Sequence, residues 1–221
     1  MNKSENEPIT LSSLPASPEA KPAGKSPGEQ INGPKGFTPR PGQVICGDLD
    51  IRIDRGGVWH YRGSPIGRKE LVRLFATVLY RDEDGDYWLV TPAEVGRIEV
   101  EDAPLIAVEL ALSGSGSKQI ITLRTNVDTF VTVDGDHPIR VDIDPETKQP
   151  SPYLVMDGGI EARLTRAVYY ELVSLGTEKK PAGEKKPGSE NHDGENHDTG
   201  VCFGVWSSGV FFALGTLEPE R

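Results

Sequence analysis

From Asp48 onward apolar residues alternate with polar ones in short bursts, and each burst predicts a strand. Asp48 to Asp54 (DLDIRID) puts Leu49, Ile51 and Ile53 on one face, and Val58 to Arg62 (VWHYR) returns after the Arg55-Gly56-Gly57 turn. The period then changes. In Gly63 to Leu79 (GSPIGRKELVRLFATVL), Leu71, Leu74, Phe75, Val78 and Leu79 recur at three- and four-residue spacing. That spacing predicts an amphipathic helix, with Ser64 as its N-cap and Pro65 at its first position. Alternation resumes at Tyr87 to Thr91, after an Arg81 to Asp86 turn, then at Arg97 to Glu101 and in a hairpin of Ile106 to Leu112 with Gln119 to Arg124. Phe130 to Val133, Ile139 to Ile143 and Tyr153 to Met156 read as further strands. Ile160 to Leu175 predicts a second amphipathic helix, with Leu164, Ala167, Val168, Leu172 and Leu175 on one face and Gly176 as its stop. Val210 to Leu214 is a last apolar strand.

One order of elements occurs twice: strand, turn, strand, glycine-containing turn, helix, loop, aromatic strand. Laying helix on helix aligns Leu71 with Leu164, Leu74 with Ala167, Phe75 with Val168, Leu79 with Leu172 and Arg73 with Arg166. The expected fold is therefore α+β: two similar β-rich halves, each with one amphipathic helix, related by internal duplication. Residues 1–41 are rich in Pro, Ser, Lys and Glu without hydrophobic period, and are expected to be a disordered tail. The first half spans 42–104 and the second 105–221, with a low-complexity loop at 177–199 built of tandem copies such as EKKPAG and EKKPGS.

Charge and composition narrow the function classes. A net charge of −10 over 221 residues argues against bulk nucleic-acid binding, which needs a broad basic surface. No stretch approaches a membrane span, and the N-terminus, MNKSENEPITLSSLP, has no apolar signal core, so a cytoplasmic protein is expected. Cys46 and Cys202 match no metal-ligand spacing and are expected to be reduced, mostly buried thiols, although one disulfide between them is the alternative.

The run GxWxYxGSPIxRxxLVxLFxxVL, from Gly57 to Leu79, is followed by Asp84-Gly85, Tyr87, Leu89-Val90-Thr91-Pro92, Glu94, Ile98, Val100-Glu101-Asp102-Ala103-Pro104, Leu123-Arg124-Thr125-Asn126, His137-Pro138 and Arg140. This pattern resembles a bacterial family of unknown function, domain-of-unknown-function family 1285, over roughly Cys46 to Leu214. The resemblance implies a duplicated α+β core whose second half is superficially like a pleckstrin-homology fold. It also implies a ligand site between the halves, for a nucleotide-like molecule, and a role in signalling. It implies no activity.

The residues themselves suggest where an anion would bind. Arg68 and Lys69 fall in the opening turn of the first predicted helix, where free N–H groups already favour negative charge. They are either part of a phosphate or carboxylate clamp, or solvated and ion-paired side chains. In the second predicted helix Glu161 stands near the place of Arg68, so an anion is expected at the first helix and not at the second. Arg124, Thr125 and Asn126 end one strand, and His137 and Arg140 begin another; both groups are candidates for ligand contact or for turn chemistry. Trp206 is the candidate for stacking on a base. No catalytic constellation is present: GxSxG, HExxH and CxxC are absent, SGSGSK at Ser113 to Lys118 lacks phosphate-loop spacing, and Asp82, Asp84 and Asp86 suit a turn better than a calcium loop. No cofactor or metal is expected. Two functions lead: a non-catalytic binder of a small anionic, nucleotide-like ligand, or a protein–protein adaptor in signalling; a hydrolase or transferase working through His137 is a third reading with no catalytic constellation behind it.

Overall fold

In the computed structural model, which describes residues 33–179 and 201–217, the strands form two six-stranded sheets and a third of three strands. In chain order the first sheet holds β1 (Val44–Ile53), β2 (Trp59–Tyr61), β3 (Ser64–Pro65), β4 (Leu79–Arg81), β5 (Tyr87–Val90) and β6 (Glu94–Val100), with helix α1 (Lys69–Thr77) between β3 and β4. The second sheet holds β7 (Leu105–Ser113), β8 (Ile120–Thr125), β9 (Phe130–Thr132), β10 (Ile139–Ile143), β11 (Pro150–Val155) and β12 (Glu161–Leu164). Helix α2 (Arg166–Ser174) follows, then β13 (Thr177–Lys179), β14 (Val201–Ser207) and β15 (Val210–Leu217) in the third sheet. The architecture is thus two β-rich halves with one helix each, as the sequence predicts.

The strand orders show the duplication more clearly than the helices do. The first sheet runs β3-β2-β1-β6-β5-β4, and the second, read from its β9 edge, runs β9-β8-β7-β12-β11-β10. Counted from the first strand of each, these are the same order. The helices, however, occupy different places: α1 lies between the third and fourth strands of its sheet, and α2 follows the sixth of its own. Laying helix on helix, as the periodicity invites, therefore gives the wrong register.

Both helices are shorter than their periodicity suggests, for local reasons. Ser64 and Pro65 do not open α1. They pair with Tyr61 and His60 across a two-residue turn in which Arg62 and Gly63 both have positive φ, 49° and 80°. That is the turn geometry matching strand twist, and Pro is tolerated on such an edge. Arg68 becomes the N-cap of α1 and makes no side-chain capping bond. Phe75 is the fully buried residue of α1, stacked 6.0 Å from Trp59, while Leu74 is exposed. In the second case Thr165 is the N-cap, its hydroxyl accepting from Val168 N, and the residues before it are strand, with Ala162 and Leu164 buried at alternate positions. Glu161 lies on β12 rather than in the first turn of α2, which has no acidic residue, so the expected acidic start is corrected.

The chain divides into two compact units. One runs to Ile106 and takes in Asn126–Asp128 and Asp157–Glu161; the other holds the remainder. The core of the first gathers Ile51, Ile53, Trp59, Phe75, Leu89 and Ile98. In the second, Ser207 Oγ accepts from Ile121 N at 3.0 Å and donates to Val133 O at 2.6 Å, tying β14 to β8. Gly204 lets strands approach there, since a Cβ would stand 2.2 Å from Phe212 O. The expected tail at 1–41 lies outside the described residues up to position 32. From Gly33 onward the chain is described: Lys35 N donates to Asp82 and the Phe37 ring meets Tyr80 at 5.5 Å. Of the expected loop at 177–199, Thr177–Lys179 is strand β13 and the residues from 180 lie outside the described ones.

Candidate functional site

An open cleft of about 390 Å³ lies in the first unit, between the turn Arg81–Gly85 and the Gly158-Gly159 pair. Arg81 ends β4, opposite Tyr87 on β5, and its guanidinium lies 5.7 Å from the centre of the Tyr87 ring. Its Nη1 donates to Gly159 O at 3.1 Å. Its Nε is buried and has no acceptor, and Arg81 forms no ion pair among the described residues. A guanidinium carries five N–H donors, so most of its capacity is left over.

Asp82 holds the wall beside it. Burial pushes its carboxyl up, but hydrogen bonds from Lys35 N, Trp88 Nε1, Asp86 N and Asp84 N outweigh that and hold it below the ordinary carboxylate range. The Asp82-Asp84-Asp86 alternation is thus a hydrogen-bonded turn. Asp84 pairs with Lys35 at 2.5 Å, whereas Glu83 is exposed and its carboxylate lies against Gly36. Among the described residues no three His, Cys, Asp or Glu side chains gather as metal ligands do.

The residues singled out from sequence fall in different surroundings. In the first unit, Arg68 and Lys69 are exposed at the start of α1. Asn126 bridges backbone, its Oδ1 accepting from Ile106 N at 3.0 Å and its Nδ2 donating to Gly57 O at 3.3 Å. In the second, Thr125 is buried and accepts from Thr129 N, closing a turn. Arg124 on β8 pairs with Glu109 at 2.6 Å, and Arg140 on β10 pairs with Asp142 and stacks 4.2 Å from the Tyr153 ring. Three strands separate β8 from β10 in the sheet, so strand order does not bring these two arginines side by side. His137 Nδ1 lies 3.1 Å from Asp134, whose carboxyl is held low chiefly by the His137 backbone N–H. Trp206 meets Phe211 edge-on at 5.3 Å, and the Lys179 ammonium lies 5.0 Å from its ring centre. His60 lies 2.9 Å from Asp54 in a turn, and that contact keeps the Asp54 carboxyl low.

Comparison with known proteins decides the family. Residues 41–103 match the family model for the DUF1285 N-terminal domain, of unknown function, and residues 104–198 match the one for the DUF1285 C-terminal domain. The chain belongs to the DUF1285 family. Its fold is similar to the crystal structure of a DUF1285 family protein from Silicibacter pomeroyi, 38% identical, with a TM-score of 0.64 over 83% of this chain and 91% of that one. A DUF1285 family protein from Shewanella baltica is 29% identical over 56% of this chain and 90% of that one, with a TM-score of 0.45. No curated protein matches.

Within this DUF1285 chain, Arg81 is the cleft residue that sequence reasoning passed over. In the sequence it reads as the first residue of the Arg81 to Asp86 turn, whereas in the structure it ends β4. The available signal was local: Arg81 and Tyr87 flank a short hairpin turn at positions that face each other across it. Asp157-Gly158-Gly159 reads from sequence as a turn or helix entry, and nothing in that pattern places it beside Arg81. Among the described residues no helix is long and apolar enough to cross a membrane, and both Cys46 and Cys202 are free thiols, Cys46 exposed and Cys202 half-buried rather than buried as expected.

Proposed function

We propose that this DUF1285 chain is a non-catalytic, cytoplasmic ligand-binding module that takes the anionic group of a small molecule at the Arg81 cleft, its output a binding signal rather than a product. The observation that carries this reading is the state of Arg81. It lines an open cleft with one backbone hydrogen bond, one ring contact and no carboxylate partner among the described residues. Arg124 and Arg140, by contrast, already hold carboxylates. A thermal-shift panel of nucleotides, phosphorylated metabolites and small carboxylates on the full chain tests it. A ligand at a hundred times its Kd stabilises the native state by about 2.7 kcal/mol. At least one member is expected to raise the midpoint of the wild type and not of Arg81→Gln; no shift with any member overturns the reading.

A second reading, the protein–protein adaptor, is favoured by Phe130, 67% exposed on the edge strand β9. Under it, no member of the panel shifts the midpoint, and a specific partner captured by wild type is lost with Phe130→Ser.

A further inference from the structure

The charges around Arg81 narrow the ligand class, on the premise that the cleft binds an anionic group as proposed above. We infer that the cleft takes a zwitterion, a small molecule with a carboxylate and an ammonium a few bonds apart, of the α-amino acid kind. The planar guanidinium fork of Arg81 matches a carboxylate, and its donors other than Nη1 have no acceptor among the described residues. The rest of the wall is acidic. Asp82 stays ionised in its ring of donors, and the Lys35 ammonium pairs with Asp84 while also attracting Glu83 and Asp82, so one lysine is shared among three carboxylates.

This balance disfavours a phosphate. A dianion at Arg81 would face three carboxylates that share one lysine, with one guanidinium to hold it, and like charges at close range destabilise the complex. A zwitterion reverses the sign of the Glu83 interaction while keeping that of Arg81. The remaining lining is glycine, and none of the lining residues is aromatic or aliphatic, so there is no platform on which a nucleobase would stack. A Cβ at Gly158 would meet nothing within 4 Å, which leaves the backbone there open to a small polar molecule.

The test is isothermal titration of the full-length chain with L-alanine, propionate, ethylamine and inorganic phosphate. L-Alanine is expected to bind at least tenfold more tightly than propionate, which lacks the ammonium, or ethylamine, which lacks the carboxylate. Arg81 also holds Gly159, so the deciding variant is the exposed Glu83→Gln. It is expected to bring L-alanine down to the affinity of propionate while leaving propionate no weaker. If propionate and phosphate bind as tightly as L-alanine and Glu83→Gln changes nothing, the zwitterion class is wrong and the anion site stands. If none of the four probes binds, the zwitterion inference is overturned, and the nucleotide arm of the thermal-shift panel then decides whether the anion site falls with it.

Discussion

The two six-stranded sheets share one strand order but differ in where the helix enters, and Arg81 at the end of β4 stands apart from the ion-paired arginines that both sheets carry, Arg52 and Arg97 in the first, Arg124 and Arg140 in the second. In the first sheet α1 fills the passage from third to fourth strand, whereas in the second a tight turn around Asp134 makes that passage and α2 comes after the sixth strand. The strand order is the repeated feature; the helix is a local solution that each half reaches separately. Chemistry diverges alongside. Arg124 and Arg140 in the second unit are paired with Glu109 and Asp142, and Arg81 in the first has no such partner. The duplicated frame thus keeps one strand order in both halves, while the Arg81 guanidinium in the first unit has no carboxylate partner among the described residues.

Paired substitutions break or sharpen this comparison, beginning with the cores. Trp59→Ala in the first unit removes a fully buried side chain, and Leu154→Ala does the same in the second; by denaturant unfolding the first is expected to cost about 3–5 kcal/mol and the second about 2–5 kcal/mol. Next come the turn carboxylates. Asp82→Ala leaves buried donors unsatisfied and is expected to cost about 3 kcal/mol, whereas Asp134→Ala, on a more exposed carboxylate, costs clearly less. Both carboxyls sit below their ordinary range in the folded chain. Their contribution is present above the unfolded value, about pH 4, and is lost as pH falls through the lower folded values. An acid titration of stability should therefore flatten below about pH 4 in Asp82→Asn relative to wild type. The smallest effects lie at the caps. Thr165→Ala is expected to cost about 1 kcal/mol, Arg68→Ala nothing measurable, and Arg68→Asp to gain about 0.5–1 kcal/mol by supplying α1 with the cap it lacks.

Strands with strict alternation were legible from sequence, and Ile139–Ile143 is found where the pattern puts it. What the pattern hid were places where two periods overlap. Ile160 to Leu175 satisfies a helical period throughout, yet Ala162 and Leu164 alternate just as well, and only Thr165, a cap residue in mid-run, marks the change. Gly63-Ser64-Pro65 resembles a helix start, but the adjacent Arg62-Gly63 turn captures Ser64 and Pro65 for the sheet. The cleft was less legible still. Its two walls come from segments more than seventy residues apart, which meet where Arg81 donates to Gly159 O. No local pattern records such a meeting.

The most direct measurement is a side-chain and backbone NMR titration of the full chain with L-alanine. The Arg81 Nε–H is shielded from solvent, which suits it to observation. The account predicts that this resonance and the amides of Gly85, Gly158 and Gly159 move together and saturate with one affinity, while Arg124 and Arg140 stay still. Saturating shifts centred on Arg124 or Arg140, with Arg81 unmoved, would contradict it.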